Sequence, residues 1–340
     1  MKTADFYFDL PKELIAQTPP EKRGDSRLLV CDRASGELID TVVAELPRFL
    51  PSGALLVFNN SRVRKARVFA ESETGGRVEF LFTRRKDDSH WEAVTSKQKK
   101  QTVGKRYRFS DGTVARICEA KERSRILEFD APVTEDFFER NGAVPLPPYI
   151  KRAATSVDGE RYQTVYADFS KTGSAAAPTA GLHFTPELLT ELKKRGISTA
   201  FVTLHVGPGT FLPVTAENVE DHKMHTEEYE ISEETAAAVT AAKREGRPVI
   251  AAGTTSVRTL ESAWDGGRLS PGCGETDIFI YPGYRFRVVD KLFTNFHTPD
   301  SSLILLVSAF AGRETVLNCY RHAVEKRYRF FSYGDATLFL

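Results

Sequence analysis

Two helix signals, each followed at once by a short apolar run, constrain most strongly what this chain can fold into. The first helix signal covers 185–196, with a capping threonine at Thr185, and the run 197–204 follows it. The second covers 232–246, starts at a capping serine, and is followed by the run 248–252. Helices that alternate with short apolar strands are typical of an α/β layer. We therefore predict an α/β sheet in this half of the chain.

The stretch 63–144 has a different pattern of short alternating runs separated by turn signals such as Asp111-Gly112. The runs that we interpret as strands are 78–82, 91–94, 107–109, 114–117 and 126–129. Regular short strands of this kind indicate a small antiparallel β-barrel or sandwich. The stretch lies between the buried-strand pattern at 55–58 and the proline-rich segment 145–148. The predicted fold class is therefore α/β: a larger α/β domain, made of 1–62 and 145–340, with a small antiparallel β-barrel domain inserted at 63–144.

Three further elements are predicted toward the end of the chain. The runs 277–281 and 285–289 have the composition of strands, and 313–326 has helical spacing of its apolar residues. The apolar run 303–310 is far too short to span a bilayer, so we expect no membrane association.

Composition limits the class of protein but does not indicate a binding partner. The 340 residues carry a formal net charge of +1, so only the distribution of charge can indicate nucleic-acid binding. The four cysteines are widely scattered, which is typical of reduced thiols in a cytosolic protein. The first residues lack the apolar stretch of a signal peptide. We expect a cytoplasmic location.

Ligands of open α/β sheets bind where strands end and loops begin. After the run 197–204, His205 stands two residues before Gly207 in the sequence His-Val-Gly-Pro-Gly-Thr, which continues to Gly209 and Thr210. An ionisable ring beside glycines that permit close backbone approach fits a ligand-contacting loop. A structural histidine explains this position equally well. The loop matches neither the Walker motif nor the dinucleotide fingerprint.

The run 248–252 leads into a second loop, which contains Thr254, Thr255 and Ser256 and is followed by Arg258. Hydroxyls and N–H groups at a helix N-terminus can hold an anion or sugar hydroxyls. The same three residues are also good helix caps, and the segment alone slightly favours that alternative.

Other histidines are further candidates. His183 ends the stretch 173–185, whose small residues fit either a ligand contact or a tightly packed crossover. His297 lies two residues after Asn295, just before the apolar run, and fits a ligand contact. His222 and His225 have no third ligand at a known metal spacing, so we expect no metal.

Basic residues cluster locally despite the neutral total. From Arg84 to Arg108 there are nine Lys or Arg against three Asp or Glu. Another cluster lies at 62–67, and Lys151-Arg152 is a third. A solvated face is the commoner explanation of any one cluster, but three together favour binding of a phosphate backbone.

Several segments, taken in order, resemble one family along almost the whole chain. They are LVFNNSRV at 56–63, PLPPYI at 145–150, YQTVY at 162–166, AAPTAGLHF at 176–184, TLHVG at 203–207, GTTSVR at 253–258, NFH at 295–297 and FSYGDA at 331–336. Together they resemble the S-adenosylmethionine:tRNA ribosyltransferase-isomerase family. Two departures from the family pattern are Ser61, where threonine is expected, and Lys65, where proline is usual.

The resemblance implies an α/β protein with an inserted β-barrel and a particular reaction. The family transfers and isomerises the ribosyl part of S-adenosylmethionine onto 7-aminomethyl-7-deazaguanine at the wobble position of tRNA. The product is epoxyqueuosine, and adenine and methionine are released. The implied cosubstrate is S-adenosylmethionine, the implied partner is tRNA carrying that base, and we expect no obligate protein partner.

Roles follow as hypotheses from motif position and chemistry. His205, and then His183, are the candidates for proton transfer. The residues expected to contact the cosubstrate are Gly207, Gly209, Thr210, Thr254, Thr255, Ser256, Arg258, Asn295 and His297. Of these, Thr254, Thr255, Ser256 and Arg258 are expected to hold the methionine carboxylate or a tRNA phosphate. The residues expected to contact tRNA are Asn59, Arg62, Arg67, Lys99, Lys100, Lys105 and Arg106.

Two alternatives belong to other classes. An RNA methyltransferase using S-adenosylmethionine would release S-adenosylhomocysteine, and the missing glycine-rich cofactor loop disfavours it. A non-catalytic RNA-binding protein would bind tRNA with a steep salt dependence and leave the cosubstrate unchanged. The loops at the strand ends and the full-length series of motifs disfavour it.

Overall fold

The computed structural model describes residues 1–207 and 213–340. These residues form two compact units, of which the first comprises Met1–Arg62, Pro148–Arg152 and Arg161–Leu340 and the second comprises Val63–Pro147 and Ala153–Glu160. The barrel segment predicted at 63–144 falls within the second unit. The boundaries predicted from the sequence for the two domains, at 62/63 and 144/145, remain predictions.

A nine-stranded mixed sheet organises the first unit. Its strands follow in the order Gly272–Thr276, Glu227–Ile231, Ser198–Leu204, Leu55–Asn59, Val249–Ala252, Lys291–Asn295, Ala336–Phe339, Arg27–Cys31 and Leu38–Val42. The third to sixth of these strands are parallel to one another. Because parallel strands end at the same edge, the loops after these four strands begin side by side.

The central strand Leu55–Asn59 is buried on both faces, as its apolar sequence predicts. Leu55 and Val57 belong to the core on one side of the sheet, and Leu56 and Phe58 belong to the core on the other side. Helices pack on the sheet in the manner of an α/β protein. The helices of this unit are Pro186–Lys194, Glu233–Arg244, Thr254–Ala263, Ser302–Ala311 and Arg313–Glu325.

The predicted helix caps are present. The hydroxyl of Thr185 accepts a hydrogen bond from the N–H of Leu188 at 3.2 Å, and Ser232 does the same for Thr235 at 3.1 Å. The helix predicted at 313–326 is confirmed as Arg313–Glu325.

The second unit contains a closed antiparallel barrel. Its strands are Arg67–Ser72, Arg77–Arg85, His90–Thr95, Arg106–Phe109, Val114–Ala120 and Arg125–Phe129. The strand Arg67–Ser72 pairs with both Arg77–Arg85 and Arg106–Phe109, which closes the sheet on itself. An aromatic core that includes Phe80, Phe82 and Trp91 fills the interior. The fold class predicted from the sequence, including the barrel rather than a sandwich, is confirmed.

The strands predicted at 277–281 and 285–289 are wrong. The strands in this region are Gly272–Thr276 and Lys291–Asn295. The N–H groups of residues 287, 288 and 289 donate instead to the buried carboxylate of Glu261, at 3.0 to 3.3 Å. A side chain thus takes the place of a neighbouring strand, which composition alone does not reveal.

The remaining elements are short. Helices Glu135–Asn141 and Ser156–Arg161 and the 3₁₀ turns Thr3–Phe6, Lys12–Leu14, Val43–Arg48, Gln98–Lys100, Phe169–Lys171, Thr179–His183 and Val219–Asp221 connect the strands. Short β segments lie at Arg62–Val63, Gly142–Ala143, Thr172–Ser174, Trp264–Asp265 and Arg268–Leu269. In the described part of the chain no single helix is long and apolar enough to cross a membrane; the pair Ser302–Ala311 and Arg313–Glu325, bent by 115°, passes that test only when taken together.

Candidate active site

The ends of the four parallel strands bring the predicted loops to one edge of the sheet. Asn59, His205, Gly253 and Asn295 each lie at or just after the end of one of these strands. We call this the carboxyl edge. It collects four of the sequence motifs, although these motifs lie far apart in the chain.

Asn59 holds two of the strand ends together. Its side-chain amide donates to the carbonyl oxygen of Leu204 at 3.0 Å and accepts from the N–H groups of Leu204 and Ser61, at 3.1 and 3.0 Å. The residue is fully buried. These hydrogen bonds give Asn59 a structural role at the edge. They would have to break before its side chain could contact tRNA.

His205 follows directly after this junction. Its N–H donates to the carbonyl oxygen of Glu228 at 3.0 Å, and its ring is half-buried. Gly173 lies against the ring so closely that a methyl group there would come within 3.1 Å of Nδ1. The lack of a side chain at Gly173 therefore lets the backbone pack directly on the candidate catalytic ring.

A buried ion pair lies beside the same loop. Arg258 and Glu227 have side chains that are 3% and 2% exposed, and Nη1 of the arginine donates to Oε2 of the glutamate. Oε1 of Glu227 accepts from the N–H of Gly207 at 2.9 Å. Nε and Nη2 of Arg258 are also buried and have no hydrogen-bond partner among the described residues. Gly209 and Thr210, predicted to shape the cosubstrate pocket, lie outside the described residues.

The helix Thr254–Ala263 begins at this edge with no side-chain cap on its first turn. Gly253 takes a φ of +92°, which allows the sharp entry from strand to helix. Ser256 donates to the carbonyl oxygen of Ala252 at 2.9 Å and so does not cap the helix. Thr255 carries a buried hydroxyl without a partner in the described structure. The alternative that these residues serve as helix caps therefore does not describe the structure.

A second network connects His183 to the edge. The Asn295 amide donates to Nε2 of His183 at 3.0 Å and to the carbonyl oxygen of Phe331 at 3.1 Å, and it accepts from the Thr179 hydroxyl at 2.9 Å. Burial, followed by the positive charge of Arg23, lowers the pKa of His183 to about 3. His183 is therefore a neutral imidazole whose Nε2 accepts, so the ring proton lies on Nδ1.

His297 is also buried and neutral. Burial lowers its pKa to about 3. Its Nδ1 lies 3.3 Å from the Tyr320 hydroxyl, and its Nε2 lies 3.4 Å from the Thr294 hydroxyl. Both contacts are long for hydrogen bonds, and both partners, Thr294 and Tyr320, are themselves buried side chains.

A cavity of about 320 Å³ opens beside this network, lined by Asn295, His297 and several residues that the sequence did not single out. Tyr149 and Phe331 stack with their ring centroids 3.9 Å apart, and the hydroxyls of Tyr149 and Ser332 are hydrogen bonded. Both rings line the cavity. They belong to the PLPPYI and FSYGDA motifs, so motif membership was the signal that could have identified them.

Phe331 is held in an unfavourable backbone conformation. Its φ is +72°, a value that bulky residues rarely adopt. Its N–H donates to the carbonyl oxygen of Phe296 at 3.1 Å, and its own carbonyl accepts from Asn295. Strain of this kind clusters at functional sites.

The residues predicted to contact tRNA, other than Asn59, lie near the molecular surface. Arg62 stacks over the ring of Phe169 in the first unit, at 4.1 Å. In the barrel, Arg67 pairs with Glu79 at 3.1 Å and Arg106 with Asp130 at 3.5 Å. Four exposed lysines of the barrel lie in or near the 3₁₀ turn Gln98–Lys100, namely Lys97, Lys99, Lys100 and Lys105. The described residues contain no group of three or more His, Cys, Asp or Glu side chains that could hold a metal ion.

The model of the queuosine biosynthesis protein family matches residues 3–339. The chain belongs to this family. The resemblance inferred from the sequence motifs is thereby confirmed.

Two relatives that are similar along the whole chain carry the same name. The chain is 56% identical to the S-adenosylmethionine:tRNA ribosyltransferase-isomerase of Treponema denticola and 53% identical to that of Carboxydothermus hydrogenoformans, and each alignment covers all of both chains. The crystal structure of S-adenosylmethionine tRNA ribosyltransferase from Thermotoga maritima is 34% identical, covers 99% of this chain and 100% of its own, and superposes with a TM-score of 0.57.

Proposed function

We propose that this family member transfers and isomerises the ribosyl moiety of S-adenosylmethionine onto 7-aminomethyl-7-deazaguanine at the tRNA wobble position. The product is epoxyqueuosine, and adenine and methionine are released. The observation that carries this proposal is the full-length match to the family and to relatives named for this activity. The enzyme class expected from the sequence agrees with those names.

The chemistry begins at the sulfonium of the cosubstrate. Its positive charge acidifies the ribose 5′-carbon, so a base removes a proton there and leaves a stabilised ylide. Elimination from the ylide breaks the C4′–O4′ bond, and adenine departs from C1′ with a proton, which leaves a 4′,5′-unsaturated sulfonium and a C1′ aldehyde. The amine of the modified base adds at C4′ and loses a proton, and the ylide that re-forms at C5′ attacks the aldehyde to give a cyclopentane ring with an alkoxide at C1′. Closure of the epoxide breaks the carbon–sulfur bond and expels methionine. The protein must therefore provide a base, a proton for adenine and a site for a zwitterionic amino acid.

His205 is the better placed of the two proposed catalytic histidines. It is half-buried at the carboxyl edge, whereas His183 is buried and lies behind Asn295. We assign proton transfer to His205. His183 accepts from the Asn295 amide and thereby orients a residue that lines the cavity, which makes it a positioning residue in this scheme.

Arg258 is proposed to hold the methionine carboxylate. Its Nε and Nη2 are buried without partners among the described residues, and two parallel N–H donors match a carboxylate. With the side chain 3% exposed, a small ligand reaches these donors more readily than a tRNA phosphate does. The hydroxyl of Thr255 and the uncapped first turn, at Thr254 and Ser256, add donors at the same edge. Gly207 shapes the adjacent loop.

The cavity lined by Tyr149, Phe331, Asn295 and His297 is proposed to receive part of the cosubstrate. Its volume of about 320 Å³ and its aromatic wall suit a nucleoside. The strain at Phe331 supports a functional purpose for this wall.

Basic side chains near the surface of the barrel are proposed to contact the tRNA backbone. They are Arg67, Lys99, Lys100, Lys105 and Arg106, and Arg62 of the first unit joins them. The proposed setting is the cytoplasm, where tRNA is modified, without metal and without an obligate protein partner.

The test is mass spectrometry of tRNA carrying the aminomethyl base after incubation with the purified protein and S-adenosylmethionine. The proposal predicts that the base gains the epoxycyclopentanediol unit while adenine and methionine appear in equal amounts. Release of S-adenosylhomocysteine with a methylated base would show a methyltransferase instead. Binding of tRNA without any change in the cosubstrate would show a non-catalytic RNA-binding protein.

A further inference from the structure

Phe169 is the most exposed large apolar side chain among the described residues, with 77% of its area accessible. Single exposed apolar residues are common and need no explanation by themselves. Phe169 differs because an arginine lies on its ring and because the backbone that carries it is tied down. Phe169 and Arg62 both belong to the first unit.

The segment that carries Phe169 is held by hydrogen bonds at both ends. Asp168 caps the turn by accepting from the N–H of Ser170 at 2.8 Å, and its own N–H donates to the carbonyl oxygen of Asn60 at 3.0 Å. On the other side, the Thr172 hydroxyl donates to the carbonyl oxygen of Phe169 at 2.8 Å. The exposed ring is therefore displayed on an ordered turn.

Arg62 stabilises the ring in this position. Its guanidinium carbon lies 4.1 Å from the centroid of Phe169, within the range of a cation–π contact. The pair offers an aromatic surface beside a positive charge, and Lys171 in the same turn pairs with Glu230 at 2.6 Å. An aromatic ring and a planar arginine together are the usual means by which proteins hold an unpaired nucleobase.

The turn is connected to the carboxyl edge. Asn60 receives the hydrogen bond from Asp168 and also accepts, through its side chain, from the Thr203 hydroxyl at 2.7 Å. Thr203 lies two residues before His205, the proposed base. The ring of Phe169 is thus tied to the strand that ends in the reaction site.

We propose that Phe169 and Arg62 form a stacking platform for an unpaired nucleobase of the tRNA anticodon loop, next to the nucleotide that reacts. This proposal rests on the proposed function, because it takes the modified tRNA as the substrate. The ring stacks on the base, and the guanidinium keeps the ring in place and attracts the neighbouring phosphate. A purely apolar partner would need only the bulk of the side chain.

The kinetic test compares three substitutions with the wild-type enzyme. Phe169→Ala raises the KM for tRNA about tenfold, in line with the loss of one base–aromatic stack. Phe169→Leu, which keeps apolar bulk without a ring face, gives nearly the same increase, and Phe169→Trp stays close to wild type. The KM for S-adenosylmethionine and the kcat at saturating tRNA change little. Tyr7→Ala, which removes another exposed aromatic (65% accessible), is the matched control with unchanged kinetics.

A binding measurement separates failure of this proposal from failure of the proposed function. A hairpin RNA with the anticodon-loop sequence carries 2-aminopurine at each loop position in turn, and its fluorescence is measured with wild type, Phe169→Leu and Tyr7→Ala. Quenching at one position that disappears only in Phe169→Leu supports the platform even if no product forms. An active wild type with an unchanged tRNA KM in Phe169→Ala overturns the platform and leaves the enzyme assignment intact. A Phe169→Leu variant that matches wild type also overturns it.

Discussion

The carboxyl edge of the mixed sheet and the surface of the barrel differ in how far their charged and polar side chains are exposed to solvent. At the edge, Arg258 and Glu227 form an ion pair with side chains 3% and 2% exposed, and His183 and His297 are buried. On the barrel, Arg67 and Glu79 pair with side chains 29% and 35% exposed, and the lysines around Gln98–Lys100 face solvent.

This difference matches two kinds of chemistry. Groups removed from water keep fixed orientations and act strongly on a small charged ligand. Exposed cations instead attract a polyanion over a distance and release its counterions. The four predictions that follow test whether the two regions divide the work in this way.

The largest effect is expected at the edge, for His205→Ala. If His205 takes the 5′-proton, its loss lowers kcat by about 10² to 10⁴. The measurement is the rate of adenine release at saturating substrates. His225→Ala, at an exposed histidine of the same unit, is the control and keeps the wild-type rate. Retained turnover in folded His205→Ala would remove this residue from proton transfer.

Glu227→Ala compares the buried ion pair with the barrel pair. Removing the glutamate leaves the Arg258 charge buried and unpaired, which costs about 3 to 5 kcal/mol in the free energy of unfolding. Glu79→Ala, at the half-exposed pair of the barrel, costs less than about 1 kcal/mol. Urea unfolding of both variants measures this difference. Equal costs would contradict the contrast between the two regions.

The buried histidines predict a pH dependence of stability. Each pKa is lowered to about 3 from 6.5, so below pH 6.5 the unfolded chain binds a proton that the folded chain does not. Stability therefore falls as the pH drops from about 6.5 toward 3, by about 1.4 kcal/mol per pH unit for each histidine. His297→Gln should lose one such contribution in urea unfolding measured at several pH values. An unchanged slope would show that His297 becomes charged in the folded protein.

The smallest effect is expected on the barrel. Replacing Lys99, Lys100 and Lys105 by alanine weakens tRNA binding and lowers the slope of log K against log salt by about one for each phosphate that the variant no longer neutralises. Lys2→Ala, at an exposed lysine of the first unit, is the control. Affinities measured over a series of salt concentrations decide this. A slope that does not change in the triple variant would remove these lysines from the interface.

Much of the fold could be predicted because local signals and packing agree. The caps at Thr185 and Ser232, the doubly buried strand Leu55–Asn59 and the alternating runs of the barrel all form as their sequences indicate. Prediction failed at 285–289, where the carboxylate of Glu261 takes the place of a partner strand. That contact bridges positions 26 to 28 residues apart, and no local pattern encodes it.

The site was predictable to the level of motifs and less so to the level of individual side chains. The predicted strand ends brought His205 and the 254–256 segment to one edge, whereas the strand that places Asn295 there was not predicted. The sequence could not show that Asn59 bonds backbone groups of Leu204 or that Glu227 pairs with Arg258, because these partners are distant in the chain. Tyr149 and Phe331 lie in two of the sequence motifs, but that they stack on each other was not predictable, because only folding brings their rings together.

The strand order of the mixed sheet also affects which parts of the chain can fold during synthesis. Arg27–Cys31 pairs in parallel with Ala336–Phe339, which is synthesised much later. Every barrel strand, by contrast, finds its partners within the segment 67–143. The barrel strands can thus pair with one another during translation, while Arg27–Cys31 gains its parallel partner only after Ala336–Phe339 has been made.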